Sequence, residues 1–201
     1  MGDADVDSVT ELRTDRAVFF DRDGTINRDP GYVHRPEDLV LFPGVPEAIA
    51  RLNAERVPVI VVTNQGGVGL GLYTEADVLV LHGYLQEEIA AKGAHVDAFY
   101  YCPFHPRAVV DRYLSDNAWC RKPNPGMLDE GIERFSLRDA DCWMVGDRES
   151  DAIVGASRNM TTVLVRTGHG LGEAPTTTAN HIADDLPAAV DLILRTWNTT
   201  R

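Results

Sequence analysis

The segment Asp21-Arg22-Asp23-Gly24-Thr25 sets two carboxylates two residues apart, directly after the apolar run Ala17-Val18-Phe19-Phe20. A bare pair of this kind also fits a solvated turn or a helix cap. Three features favour chemistry. The run before the pair is apolar throughout, Gly24 permits a sharp turn just after it, and a second apolar run, Cys142 to Val145, ends in Gly146-Asp147. If both runs are strands of one sheet, Asp21, Asp23 and Asp147 converge at one edge. Gathered carboxylates repel one another. A hard, oxygen-seeking cation relieves that, and Mg²⁺ is the usual choice where phosphate is also bound.

A third apolar run, Val57 to Val62, ends in Thr63-Asn64-Gln65. The Thr63 hydroxyl and the amides after it suit phosphate oxygens. The glycines that follow, Gly66, Gly67, Gly69 and Gly71, begin like a dinucleotide fingerprint, but Leu72 stands where its third Gly belongs and no P-loop Lys follows. They read as a loop of close backbone approach. Arg121-Lys122-Pro123 is either surface charge or a phosphate clamp, with Lys as a point charge on the transferred group and Arg forking around a second anion. Together these parts make phosphoryl-transfer machinery. Asp21 would attack phosphorus, and Asp23 would protonate the leaving alcohol and then activate water. Mg²⁺ would be held by Asp21 and Asp147 with a backbone oxygen of Asp23.

The elements that must position these residues alternate along the chain. Strands are expected at Ala17 to Phe20, Val57 to Val62, Val96 to Tyr101, Cys142 to Val145 and Thr162 to Val165. Between them lie helices: one opened by Gly44-Val45-Pro46, one from Thr74-Glu75 with Val78, Leu81, Leu85 and Ile89 on a face, then Met127 to Phe135 and Asp151 to Asn159. Leu186 to Trp197 closes the chain. Strands apolar on both faces, alternating with helices, predict a doubly wound parallel α/β sheet. Ligands bind such sheets beyond the carboxyl ends of the strands, where all these polar residues fall.

The 201 residues, 44% hydrophobic and 25% charged, suit one globular domain over residues 16–198 behind a polar leader, residues 1–15. The longest apolar run is far short of the roughly 20 residues needed to span a bilayer. A net charge of −12 disfavours nucleic acid as a partner. The leader is acidic where a signal peptide would be basic and then apolar. A cytoplasmic monomer with no membrane partner is expected, and its three cysteines do not all pair.

The series Asp21-x-Asp23-Gly24-Thr25, Thr63-Asn64-Gln65, Lys122 and Gly146-Asp147-(x)3-Asp151 resembles the four motifs of the haloacid dehalogenase superfamily phosphatases. Narrower segments are similar to the heptose 1,7-bisphosphate 7-phosphatase branch: Asp29-Pro30-Gly31-Tyr32-Val33-His34, Tyr100-Tyr101-Cys102-Pro103, Cys120-Arg121-Lys122-Pro123 and Val165-Arg166-Thr167-Gly168. The resemblance implies a Rossmann-like core without a separate cap domain. The gaps agree, since Asp23 to Thr63 and Thr63 to Lys122 leave no room for a lid. It further implies Asp21 as nucleophile, Asp23 as acid/base, Thr63 and Lys122 on the transferring phosphoryl group, and Asp21, Asp23 and Asp147 on the metal. Substrate contacts would come from Asp29, Pro30, Gly31, Tyr32, Asn64, Gln65, Gly66, Arg121 and Arg148, the last standing where the branch usually has Lys. The small phosphorylated sugar would be a heptose bisphosphate. Histidinol phosphate, a polynucleotide phosphate or a binding role without catalysis are the alternatives.

Relatives often carry structural zinc on Cys-x-His and Cys-x-Cys around the third loop. Here Phe104 and Ala118 replace two of the four ligands, leaving Cys102 and Cys120, with His105 one residue late. Structural zinc wants four ligands, so none is expected. Packing of Phe104 and Trp119 would order the loop instead.

Overall fold

The computed structural model describes residues 15–199. All of the expected leader except Asp15 lies outside them; Asp15 pairs with Arg138 at 3.1 Å. Six parallel strands form one sheet: β1 (Val18–Phe20), β2 (Val59–Asn64), β3 (Ala98–Cys102), β4 (Trp143–Gly146), β5 (Thr161–Val165) and β6 (His181–Ala183). Their order is β3-β2-β1-β4-β5-β6. The helices are α1 (Val45–Ala54), α2 (Glu75–Ala90), α3 (Gly126–Phe135), α4 (Glu149–Ala156), the short α5 (Gly170–Glu173) and α6 (Leu186–Thr199). This is the doubly wound α/β fold, with no inserted cap among the described residues.

Strand residues alternate between two cores. Val18, Phe20, Val59 and Val61 pack on one face with Val45, Ile49 and Leu52 of α1 and Val190 and Ile193 of α6. Phe19, Ile60, Val62 and Met144 pack on the other with Met127 and Leu128 of α3 and Val154 of α4. Burial on both faces is why no polar alternation shows in these strands. Gly131 lets α3 approach the sheet, since a Cβ there would fall 2.7 Å from the Phe19 ring.

Two elements escaped the sequence pattern, α5 and β6. The strand β6 has three residues, two of them exposed, and so carries no apolar run. Helix α4 starts two residues before the expected Asp151, because an Asp151 carboxylate oxygen accepts the Arg148 N–H at 3.1 Å and caps the first turn. No helix among the described residues is long and apolar enough to cross a membrane.

Candidate active site

The strand order places β1 between β2 and β4, at the point where the chain reverses its direction of winding. In register, Phe20 lies beside Val61 and Val145. One step further, Asp21 stands at the head of the sheet level with Val62 and Gly146, and Thr63 and Asp147 come next along the two flanking chain segments. The Asp21 N–H donates to Val145 O at 2.9 Å, so the carboxylate projects from continuous strand backbone. A cavity of about 620 Å³ opens here, lined by Asp21, Asp23, Thr63, Lys122, Asp151 and every expected substrate contact.

Lys122 Nζ lies at the centre of the charges. It reaches Asp21 Oδ1 at 2.6 Å, Asp151 Oδ1 at 2.7 Å and Val62 O at 2.8 Å. Burial works against its charge, but Asp151 and Asp21 outweigh burial and hold the amine protonated above the ordinary lysine range. The backbone beneath it is clamped by Asn64, whose Oδ1 accepts the Lys122 N–H at 3.0 Å while its Nδ2 donates to Lys122 O at 3.1 Å. Asn64, expected as a substrate contact, thus turns its amide toward the turn that carries Lys122.

Asp21, Asp147 and Asp151 offer carboxylate oxygens within 4.8 Å of one another. Burial pushes the Asp21 carboxyl well above the usual range, with Asp151 and Asp147 adding to the effect of burial and Lys122 opposing it. Burial likewise raises Asp147 to about 7. One Asp147 oxygen accepts the His169 N–H at 2.8 Å; the other is buried with no hydrogen-bond partner. Gly24 and Gly168, both at positive φ, close against this carboxylate, and a Cβ on either would overlap Asp147 Oδ2. Thr167 Oγ1 donates to Gly24 O at 2.7 Å and fastens the two loops together. An orphaned buried oxygen in a cluster of hard donors fits a divalent cation. Asp151 is an addition to the expected metal and phosphate set.

Asp23 turns its carboxylate away from this cluster. Arg22 Nη2 reaches Oδ1 and Oδ2 at 3.0 and 2.7 Å. Asn27 Nδ2 donates to Oδ1 at 3.0 Å and Gln65 Nε2 to Oδ2 at 2.8 Å. Burial alone would raise this carboxyl, but the Arg22 charge and these hydrogen bonds prevail and hold it below the usual range. Arg22 is itself fully buried and also donates to Val33 O at 2.9 Å. Sequence reasoning passed over Arg22, Asn27 and Tyr73, because their parts are legible only once their partners are placed.

The outer wall is built from loops. Asp29 Oδ1 accepts the Gly31 N–H at 2.9 Å, and Gly31 and Tyr32 both take positive φ, which presents Pro30 and the half-exposed Tyr32 to the cavity. Opposite, Arg121 Nη1 donates to Phe104 O at 3.0 Å, and Gly66 leaves room for His105 and Arg121. Arg148 lies exposed at the rim.

Cys102, ending β3, and Cys120, just before Arg121, are joined in a disulfide with Cα atoms 5.3 Å apart, and Cys142 is free and buried. Both sulfurs left in the zinc pattern are thereby bonded to each other. The expected packing of the loop needs one correction. Trp119 is 61% exposed, and order comes instead from Phe104 edge-on to Tyr113 and from Glu75, which accepts from both Tyr113 and Tyr101.

The HAD-hydrolase-like family model matches residues 119–189. Over 178 residues, 87% of this chain and 94% of the relative, the sequence is 38% identical to the D-glycero-beta-D-manno-heptose-1,7-bisphosphate 7-phosphatase of Photorhabdus laumondii. The chain belongs to the heptose bisphosphate phosphatase family. A relative from Burkholderia mallei, named for the alpha anomer, is 41% identical over 150 residues, 75% of this chain and 79% of the relative. The crystal structure of the B. bronchiseptica D,D-heptose 1,7-bisphosphate phosphatase, complexed with magnesium and phosphate, superposes with a TM-score of 0.81 at 30% identity. The match covers 90% of this chain and 99% of that one. This phosphatase is thus a phosphoric monoester hydrolase of the HAD-like class, as its motifs imply.

Proposed function

We propose that the protein removes the 7-phosphate of D-glycero-D-manno-heptose 1,7-bisphosphate through an aspartyl-phosphate on Asp21, with Mg²⁺ as cofactor. The reading is carried by the buried ion-paired Asp21–Lys122 couple facing a cavity lined by Asp29, Pro30, Gly31, Tyr32 and Arg121. A carboxylate oxygen of Asp21 forms a bond to phosphorus as the bond from phosphorus to the sugar oxygen breaks, and Asp23 gives that oxygen the proton it takes up when the substrate's phosphate anion comes beside it and raises its carboxyl. As Asp21 shares its electrons with phosphorus, its negative charge passes on to the leaving sugar oxygen, where the Asp23 proton neutralises it, and Lys122 turns the N–H that Asp21 accepted onto the phosphoryl oxygens. Thr63 offers its hydroxyl to the same group. Asp23, now a carboxylate, takes a proton from water; the water oxygen attacks phosphorus, and Asp21 leaves as carboxylate with inorganic phosphate as product.

Asp21 and Asp147, with Asp151 beside them, would hold Mg²⁺, which supplies charge neutralisation between an anionic nucleophile and an anionic substrate. Arg121 reads the distant phosphate. Phosphate release from both anomers of the heptose bisphosphate, other phosphosugars and histidinol phosphate, with Mg²⁺ and with EDTA, tests the proposal. The expected result is highest kcat/KM on the heptose bisphosphate and none in EDTA. Preference for histidinol phosphate would refute the substrate, and full activity in EDTA the cofactor.

A further inference from the structure

Gln65 is buried, and both ends of its amide are engaged. Its Nε2 donates to Asp23 Oδ2 at 2.8 Å and to Thr63 Oγ1 at 2.9 Å. Its Oε1 accepts from the Tyr73 hydroxyl at 2.7 Å. An amide has a donor end and an acceptor end of nearly equal shape, so one partner of fixed polarity decides which way it points. The Asp23 carboxylate, which only accepts, is that partner, and the Tyr73 hydroxyl, donating to Oε1, holds the far end of the amide in that place. Reversed, the amide would turn its oxygen onto the Asp23 carboxylate, and two acceptors would face each other.

The Tyr73 ring is held tightly in place. On one side is the Gly67 backbone, where a Cβ would fall 2.2 Å from ring atom Cε1. His34, from the loop that follows Tyr32, stacks on the ring with centroids 4.8 Å apart and planes 8° from parallel. Burial raises the phenol well above its ordinary range, so the hydroxyl keeps the proton it donates.

We infer that Tyr73 is a positioning residue: acting through Gln65, it fixes the rotation of the Asp23 carboxylate relative to the Thr63 hydroxyl. The oxygen that delivers a proton to the leaving group is thereby aligned with the hydroxyl that hydrogen-bonds the transferring phosphoryl group. Arg22 binds both oxygens and Asn27 covers Oδ1, whereas Gln65 binds Oδ2 from the β2 side. The stack on His34 extends this alignment to the wall of the substrate cavity. The inference rests on the acid/base role proposed for Asp23.

The test compares wild type, Tyr73→Phe, Gln65→Leu, their double variant and Asp23→Asn on the heptose bisphosphate and on nitrophenyl phosphate. The sugar alkoxide needs a proton on leaving; the aryl oxygen needs it far less. Tyr73→Phe keeps the ring, its seat on Gly67 and its stack. It should lower kcat on the sugar ester by about tenfold, a modest part of the roughly 10²–10⁴-fold that proton transfer supplies. Its loss on the aryl ester should be at least about fivefold smaller, with KM on either within about twofold. Since the two residues act as one unit, Gln65→Leu should show the same selectivity and the double variant should add nothing to it. Equal losses on both esters, the mark of a packing defect, would overturn the assignment, as would additive losses in the double variant. Asp23→Asn separates the two levels. If it lacks leaving-group selectivity, the acid/base reading fails and the inference with it; if it is selective and Tyr73→Phe is not, the inference alone fails.

Discussion

Burial makes the charges around Asp21 expensive to hold without a cation, and this decides how single residues should respond. Its carboxyl is raised by burial, with Asp151 and Asp147 contributing. Asp21→Asn therefore removes the attacking oxygen and, at the same stroke, one crowded charge, while an amide oxygen remains to accept from Lys122. Turnover should fall at least about a thousandfold, roughly 4 kcal/mol of barrier, yet the urea midpoint in EDTA should hold level or rise. A variant retaining a tenth of wild-type kcat would refute the covalent role, and a lowered midpoint would refute the electrostatic account. Arg121 is half-buried beside the cavity, held to Phe104 O at 3.0 Å. A charge-assisted bond to phosphate contributes about 1.5–3 kcal/mol, so Arg121→Ala should cut the preference for bisphosphate over monophosphate roughly tenfold to a hundredfold in kcat/KM. An unchanged ratio would remove Arg121 from substrate reading. Asp21, Asp23, Thr63, Lys122 and Asp147 were legible in the sequence because each stands as a polar residue ending an apolar run or beside a charged neighbour. Asp151 was visible as part of a motif, but its bond to Lys122 depends on where α4 begins.

Helix α2 shows what a pattern of apolar residues reads well and where it stops. Val78, Leu81, Leu85 and Ile89 were expected on its inner face and are buried there. His82 is buried by the same period, stacked on Phe99 with ring centroids 4.7 Å apart, and neither ring nitrogen has a hydrogen-bond partner. A pattern that counts only apolar side chains passes over it. The strand β6 was missed for the opposite reason, since two of its three residues face solvent. Burial lowers His82 to about 3, with the Arg22 charge adding to the effect. The unfolded chain takes a proton near the ordinary value of about 6.5, while the folded chain resists it until about 3. Between those values the unfolded state binds more protons, so the His82 contribution to stability is lost as pH falls from about 6.5 and is constant above it. At about pH 4.5 the penalty is on the order of 3 kcal/mol. His82→Leu should recover most of it, read as a smaller shift of the urea midpoint between about pH 7.5 and 4.5 than wild type shows. Equal shifts in the two proteins would mean that His82 is protonated in the fold.

At the scale of the whole molecule, the sheet order assembles one anionic site from segments over a hundred residues apart. Three carboxylates face one ammonium where β1 lies between β2 and β4. Two negative charges are left over in a protein that already carries a net −12, and a divalent cation would balance them. The pH dependence of that balance has a definite sign. Asp147 titrates at about 7 in the fold against an ordinary 3.8, so between these values the folded state holds more protons than the unfolded one. Without metal, the Asp147 contribution to stability therefore declines as pH rises through that window and levels off above about 7. Bound at this proposed site, Mg²⁺ would need the ionised carboxylates: at low pH it would have to displace protons, and at high pH it would relieve a repulsion already present. A cation at about a hundred times its dissociation constant contributes roughly 2.7 kcal/mol, which for a chain of this size is roughly 5–10 °C in Tm. The gain in Tm on adding Mg²⁺ should accordingly be larger at about pH 8 than at about pH 5.5, and Asp147→Asn should abolish most of it. Monovalent salt at matched ionic strength should not reproduce it, because screening acts weakly on buried charges. Gains equal at the two pH values would show that proton and metal do not compete for these carboxylates. A gain surviving in Asp147→Asn would place the cation elsewhere in the molecule.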